Sequence, residues 1–124
     1  MKLIDSNILI YAARPEFLHI KEMIEKENVA VSEISRLEVM GYHRITEEQK
    51  DFFKAIFLLV QLIPVDEQII DKAIIIRQTK NVKIGDAIIA ATAVLNSYEL
   101  VTRNTGDFSH ITEIVLNNPI DQCN

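Results

Sequence analysis

Asp5, Glu38, Asp86 and Asp107 fall where the surrounding sequence otherwise reads as strand ends or as the inward faces of helices. An ionised carboxylate taken out of water costs several kcal/mol unless a cation or hydrogen-bond donors compensate it. Four of them gathered at one place would repel each other and raise the pKa of some, so the pattern calls for a divalent cation. An oxygen-only ligand set selects Mg²⁺ or Mn²⁺ over zinc. A carboxylate cage around one or two such ions is equipment for phosphodiester hydrolysis, because the metal lowers the pKa of a bound water, orients it in line and stabilises charge on the phosphate and leaving oxygens.

Each acid also has an ordinary reading. Asp5 ends the apolar run Lys2-Leu3-Ile4 and precedes Ile8-Leu9-Ile10-Tyr11-Ala12-Ala13, so it can cap a helix as well as stand at the carboxyl end of a strand, where parallel sheets bind ligands. Glu38 lies four residues after Ile34 and one after Leu37, which turns it towards the apolar side of its helix, yet Ser35 to Glu38 also matches the S-x-x-E capping box. Asp86 opens an alanine-rich helix, where the dipole favours negative charge, and Gly85 before it permits close backbone approach. Asp107 follows Gly106 in the polar turn Asn104-Thr105-Gly106, an arrangement common in plain turns.

The elements that must position these acids alternate. Strands are predicted over 2–4, 29–31, 62–65, 100–102 and 114–116, with Pro64 placing the third at a sheet edge. Helices are predicted from Ile8 to Ala13, from Pro15 through Met23 and Ile24, from a Ser32 or Ser35 cap to Met40, from a Thr46 cap to Val60, from Asp66 to Lys80, and from Asp86 to Ser97. The order implies an α/β fold of three layers, α/β/α, around a mainly parallel sheet that would bring the acids to one edge.

With 124 residues, 48% of them hydrophobic, the chain has the size of a single domain, 1–124. A formal charge of -5 and a pI near 5.1 exclude nucleic-acid binding through a generally basic surface, so any such contact must be local. Cys123 is the only cysteine, which excludes a disulfide framework and a thiolate metal cage. Without a signal-like h-region or a long apolar span, the expectation is a soluble, cytoplasmic protein with no membrane partner.

Leu3-Ile4-Asp5-Ser6-Asn7, Ile34-Ser35-Arg36-Leu37-Glu38-Val39, the run from Gly85-Asp86 through Ala93, and Leu100-Val101-Thr102-Arg103-Asn104 with Asp107-Phe108 together resemble the PIN-domain family, and within it the VapC-type toxin ribonucleases of toxin-antitoxin pairs. The resemblance runs from residue 3 to about 119, and its last two motifs are the most specific. It implies that Asp5, Glu38, Asp86 and Asp107 form the acidic quartet, and that Ser6, Thr102 and Asn104 hold supporting polar positions. It further implies a Mg²⁺- or Mn²⁺-dependent endoribonuclease acting on RNA, a homodimer, and inhibition by a small antitoxin protein. Asp5 and Asp86 are the expected direct metal ligands. Ser6 departs from the family, where many relatives carry Thr.

Two alternatives differ in class. A receiver-like signalling domain would also be α/β with an acidic pocket, but it expects paired acids after the first strand and a late Lys, which are missing here. A non-catalytic PIN-like binding module need not retain four mutually repelling acids. His19, His43 and His110 lack partners at metal-ligand spacing. Arg14, Arg36, Lys83 and Arg103 lie near the acidic motifs, where they are either solvated charges or contacts to RNA phosphate, Arg103 foremost. Phe52, Phe53 and Phe57 with Leu58 and Leu59 spread wider than one helix face, implying core together with a dimer or antitoxin surface.

Overall fold

The computed structural model describes residues 1–120; Cys123 lies outside them. Five short strands, β1 (Lys2–Ile4), β2 (Val29–Ser32), β3 (Gln61–Ile63), β4 (Glu99–Val101) and β5 (Leu116–Asn117), form one all-parallel sheet in the order β3-β2-β1-β4-β5. The helices are α1 (Ser6–Ala12), α2 (Leu18–Lys26), α3 (Glu33–Met40), α4 (Glu47–Leu59), α5 (Glu67–Thr79), α6 (Ile84–Asn96) and α7 (Thr105–Phe108). The expected α/β/α layering is what forms.

Period-two alternation divides the strands between two cores. Leu3, Ala30 and Leu100 pack with Ile69, Ala73 and Ile76 of α5, Ala87 to Ala91 and Ala93 of α6, and Phe108. Ile4, Val29, Val31 and Val101 face the other way, onto Ile8, Leu9 and Ala12 of α1, Ile20 and Ile24 of α2, Val39 of α3, and Phe53 and Ile56 of α4. Because both faces are covered, the strands read as continuous apolar runs rather than alternating ones. The small residues of α6 let that helix lie close to the sheet and to α5.

The caps explain most boundaries. Ser32, not Ser35, caps α3, its hydroxyl accepting from the Ile34 amide at 3.1 Å. Ser35 lies inside the helix with a buried hydroxyl that has no partner among the described residues, so the capping box with Glu38 does not form. Thr46 and Gln49 do close such a box at the start of α4, and Asp66 caps α5 through the Ile69 amide.

Several boundaries depart from the sequence reading, among them β5, which forms over Leu116–Asn117 rather than 114–116. Pro15–Phe17 is a separate 3-10 turn before α2, as suits a proline whose ring fixes φ but cannot donate. β3 stops at Ile63, with Pro64 just beyond it, and β3 is an edge strand as expected. Helix α6 starts at Ile84, which puts Asp86 inside its first turn rather than at its opening. The chain around Asp107 is the short helix α7 and not a turn. Among the described residues no helix is long and apolar enough to cross a membrane.

Candidate active site

From β1 the chain builds outward to one edge through β2 and β3, and to the other through β4 and β5, so the topological switch point lies between β1 and β4. Asp5 follows β1 and Thr102 follows β4, and the two side chains meet there. The Asp5 amide donates to the Val101 carbonyl at 3.0 Å, which stitches the strand ends together. Asp5 Oδ1 accepts from the Ser6 amide at 2.7 Å, and Oδ2 accepts from the Thr102 hydroxyl at 2.9 Å. That hydroxyl accepts in turn from the Asn104 amide at 3.1 Å. Asn104 therefore contributes through its backbone; its exposed side chain makes no cap.

Asp5 is 4% exposed, and burial pushes its carboxyl up to about 6, with the charges of Asp86 and Glu38 adding to the effect and the bonds from Thr102 and Ser6 opposing it. Asp86, half-buried at the start of α6, is raised as well. Burial is the main cause and the charge of Asp107 the next, with Glu38 adding and Lys83 opposing. The charges of Asp86 and Glu38 act on Asp5, and those of Asp107 and Glu38 on Asp86, so residues 5, 38, 86 and 107, remote in sequence, are neighbours in the fold.

Glu38 corrects the sequence reading in detail. The buried stripe of α3 is Ser35 and Val39, and Glu38 is rotated out of it into an exposed position. Its Oε1 accepts from the Ser6 hydroxyl at 2.9 Å, so Ser6 joins Asp5 through its amide and Glu38 through its side chain. On its other side, a Cβ at Gly85 would stand 3.2 Å from Glu38 Oε2, so the glycine leaves room for this carboxylate beside α6. Gly106 plays no such part, because a Cβ there would meet nothing within 4 Å. Asp107 is exposed on α7.

Among the described residues no three His, Cys, Asp or Glu side chains already stand close enough to grip one ion together. The donor set nonetheless fits a hard cation. It offers carboxylate oxygens only, and Asp5 and Asp86 are both burdened by neighbouring negative charge. Mg²⁺ ordinarily takes one or two carboxylates, keeping waters or phosphate oxygens elsewhere.

The basic residues sort differently from expectation. Arg36 is tied to Glu33 by bonds of 2.8 and 2.6 Å. Arg103 bonds the Tyr11 hydroxyl, while both its guanidinium and that of Arg14 lie over the Tyr11 ring, 5.4 and 4.8 Å from the centroid. The sequence reading overlooked Tyr11, which carried no sign beyond its position on an apolar helix. His19 Nε2 lies 3.1 Å from the Pro119 carbonyl, a structural contact.

A parallel sheet with carboxylates converging at its switch point defines a class of α/β proteins built to work at the strand carboxyl ends. Residues 2–114 match the model of the PIN domain, and the chain belongs to that family. Its structure is similar to a chain of a toxin-antitoxin complex from Klebsiella pneumoniae, with TM-score 0.77 and 32% identity, covering 96% of this chain and 98% of that one. FitAcB from Neisseria gonorrhoeae is similar with TM-score 0.77 and 26% identity over 96% and 98% of the two chains. VapBC2 from Rickettsia felis, solved with a promoter DNA fragment, shares the fold at TM-score 0.76 and 17% identity, covering 94% and 97%. Among curated protein sequences there is no match.

Proposed function

We propose that this chain is a divalent-metal-dependent endoribonuclease and the toxin of a type II toxin-antitoxin pair. The observation that carries the reading is Asp5: a buried carboxylate at the switch point, held by two donors, pushed up to about 6 and facing the charges of Asp86 and Glu38. A merely capping acid would need no more than the Ser6 amide, whereas this one also faces two other carboxylates whose effect on it no cation among the described residues offsets. Membership of the PIN family and the likeness to a chain of a toxin-antitoxin complex support the biological setting. Family membership also removes the receiver-like alternative.

Asp5 and Asp86 would hold Mg²⁺ or Mn²⁺, which when bound lowers the pKa of a water and offsets charge on the phosphate. The chain supplies direction. Thr102 and the Ser6 amide fix both oxygens of Asp5, and the Ser6 hydroxyl fixes Glu38, so two carboxylates share one anchoring residue. Glu38 and Asp107, both exposed, would bind the ion directly, reach it through water, or serve a second ion brought with the RNA.

An antitoxin segment would cover the site from the side of Glu38. A cleft of about 300 Å³ lies there, walled by Ile10, Tyr42, Ile45 and Phe53, and suits an apolar segment. For the homodimer, the exposed Ile70, Ile74 and Ile84 along α5 and α6 offer an apolar face. The test is incubation of purified protein with total cytoplasmic RNA and Mg²⁺ or Mn²⁺, beside Asp5→Asn. Cleavage that disappears in the variant is the expected result, and undiminished cleavage overturns the assignment.

A further inference from the structure

A second cleft, of about 480 Å³, begins at Asp86 and Asp107 and is lined beyond them by Arg77, Lys80, Lys83 and His110. In a chain of net charge -5, three cations lining one cleft beside the acidic centre form a local basic surface. Among the described residues none of the three closes an ion pair; Lys83 already acts on Asp86, while the charges of Arg77 and Lys80 are open to a ligand. Arg77 Nε donates to the Val82 carbonyl at 3.0 Å, which fixes the guanidinium at the α5–α6 junction.

Three further features belong to the same cleft. Lys83, the N-cap of the 13-residue helix α6, supplies no side-chain acceptor, so the first amides of that helix keep their attraction for an anion. Gly106 lies on the wall, where no packing demands a glycine and backbone is left bare to a ligand. Both ring nitrogens of His110 are shielded from solvent and have no partner among the described residues. Orphaned polar atoms of this kind are rare in native structures and point to a missing partner, which a turn of the ring into the cleft would supply.

We propose that this cleft is the subsite for the RNA backbone next to the scissile position, with Arg77, Lys80 and Lys83 taking the neighbouring phosphate and His110 meeting the sugar or base of that nucleotide. The proposal rests on the ribonuclease reading for the identity of the strand. The cleft itself selects a phosphate followed by a hydrogen-bonding group, and a single strand whose reacting phosphate lies at the acids presents that in sequence.

The test is binding of a labelled short single-stranded RNA to Asp5→Asn protein in Mg²⁺ across a range of salt. Arg77→Ala/Lys80→Ala is added to that background, with Lys26→Ala/Lys54→Ala as the control pair. The cleft pair is expected to weaken binding about tenfold and to flatten the dependence of log K on log salt by roughly 0.7, the share of the one phosphate the cleft neutralises. The control pair leaves both as they were. Lys80→Glu alone, at an exposed position with no bond to lose, guards against a folding effect of removing the Arg77–Val82 bond and is expected to weaken binding by itself. Affinity and salt slope in the cleft variants equal to the control overturn the subsite while leaving the nuclease reading intact. If the parent protein does not bind the strand, the subsite is overturned as well. Conversely, a strand bound through the cleft but never cut by the wild-type chain keeps the subsite and sinks the nuclease reading.

Discussion

Replacing Asp5 by Asn should make the metal-free protein more stable while removing its activity, and the size of the gain follows from the site. A carboxyl raised from 3.8 to about 6 binds its proton more tightly in the folded state than in the unfolded one. Its contribution to stability is complete below about pH 4 and is lost as the pH rises through about 6. At about 1.4 kcal/mol for each pH unit, ionised Asp5 costs the fold roughly 3 kcal/mol at neutral pH. The substituted asparagine carries no charge but has only one acceptor oxygen, so it cannot serve both the Ser6 amide and the Thr102 hydroxyl as the aspartate does. The bond given up is worth about 1 kcal/mol. The net gain is about 2 kcal/mol, or on the order of 5–10 °C in Tm for a chain of this size.

Thermal denaturation in EDTA at pH 5 and at pH 8 reads this directly. The wild type should lose stability between the two, and Asp5→Asn should lose less, since the raised Asp86 still titrates in the same direction. Saturating Mg²⁺ should then raise the Tm of the wild type at pH 8 and leave that of the variant much less changed, by mass action on the folded state. A variant that melts below the wild type at pH 8 in EDTA, or a wild type equally stable at both pH values, would refute the argument that Asp5 is an uncompensated buried charge.

Thr102→Val keeps the shape of a buried side chain but strands Asp5 Oδ2 and the Asn104 amide, and should cost about 1–3 kcal/mol, more at pH 8 than at pH 5, by denaturant titration at the two pH values. Gly85→Ala should gain about 0.5–1 kcal/mol of helix stability yet slow cleavage, because its Cβ would press on Glu38 from 3.2 Å; equal turnover with higher Tm would show that the position of Glu38 is unimportant. Thr46→Ala, at the capping box of α4 and away from the acids, should lower stability by about 1 kcal/mol and leave cleavage per folded molecule unchanged.

The two readings of Asp5, helix cap or site residue, look like rivals in the sequence and are one geometry in the fold. Capping uses Oδ1 towards the Ser6 amide, and that bond holds the carboxylate at the switch point. Its other anchor, Thr102, lies 97 positions away; the family resemblance gave it a supporting place, and the pairing of β4 with β1 is what brings its hydroxyl to Asp5. The first four strands were legible because apolar runs between turn residues need no distant information. Glu38 was not, since which side of α3 is buried depends on where the sheet lies, and a choice of Ser32 over Ser35 as cap shifts the start of the helix by three residues. Gly85 and Gly106 were indistinguishable by local pattern, each directly preceding an aspartate; only packing shows that the first makes room for Glu38 and that the second answers to nothing inside the chain. A residue type identifies what chemistry is possible, and long-range pairing decides which copies of that type can take part. For Asp5 and Glu38 the two conditions meet at Ser6, which bonds the one through its amide and the other through its hydroxyl. The buried charge that makes Asp5 a liability to the metal-free fold is therefore the same feature that would make it a ligand.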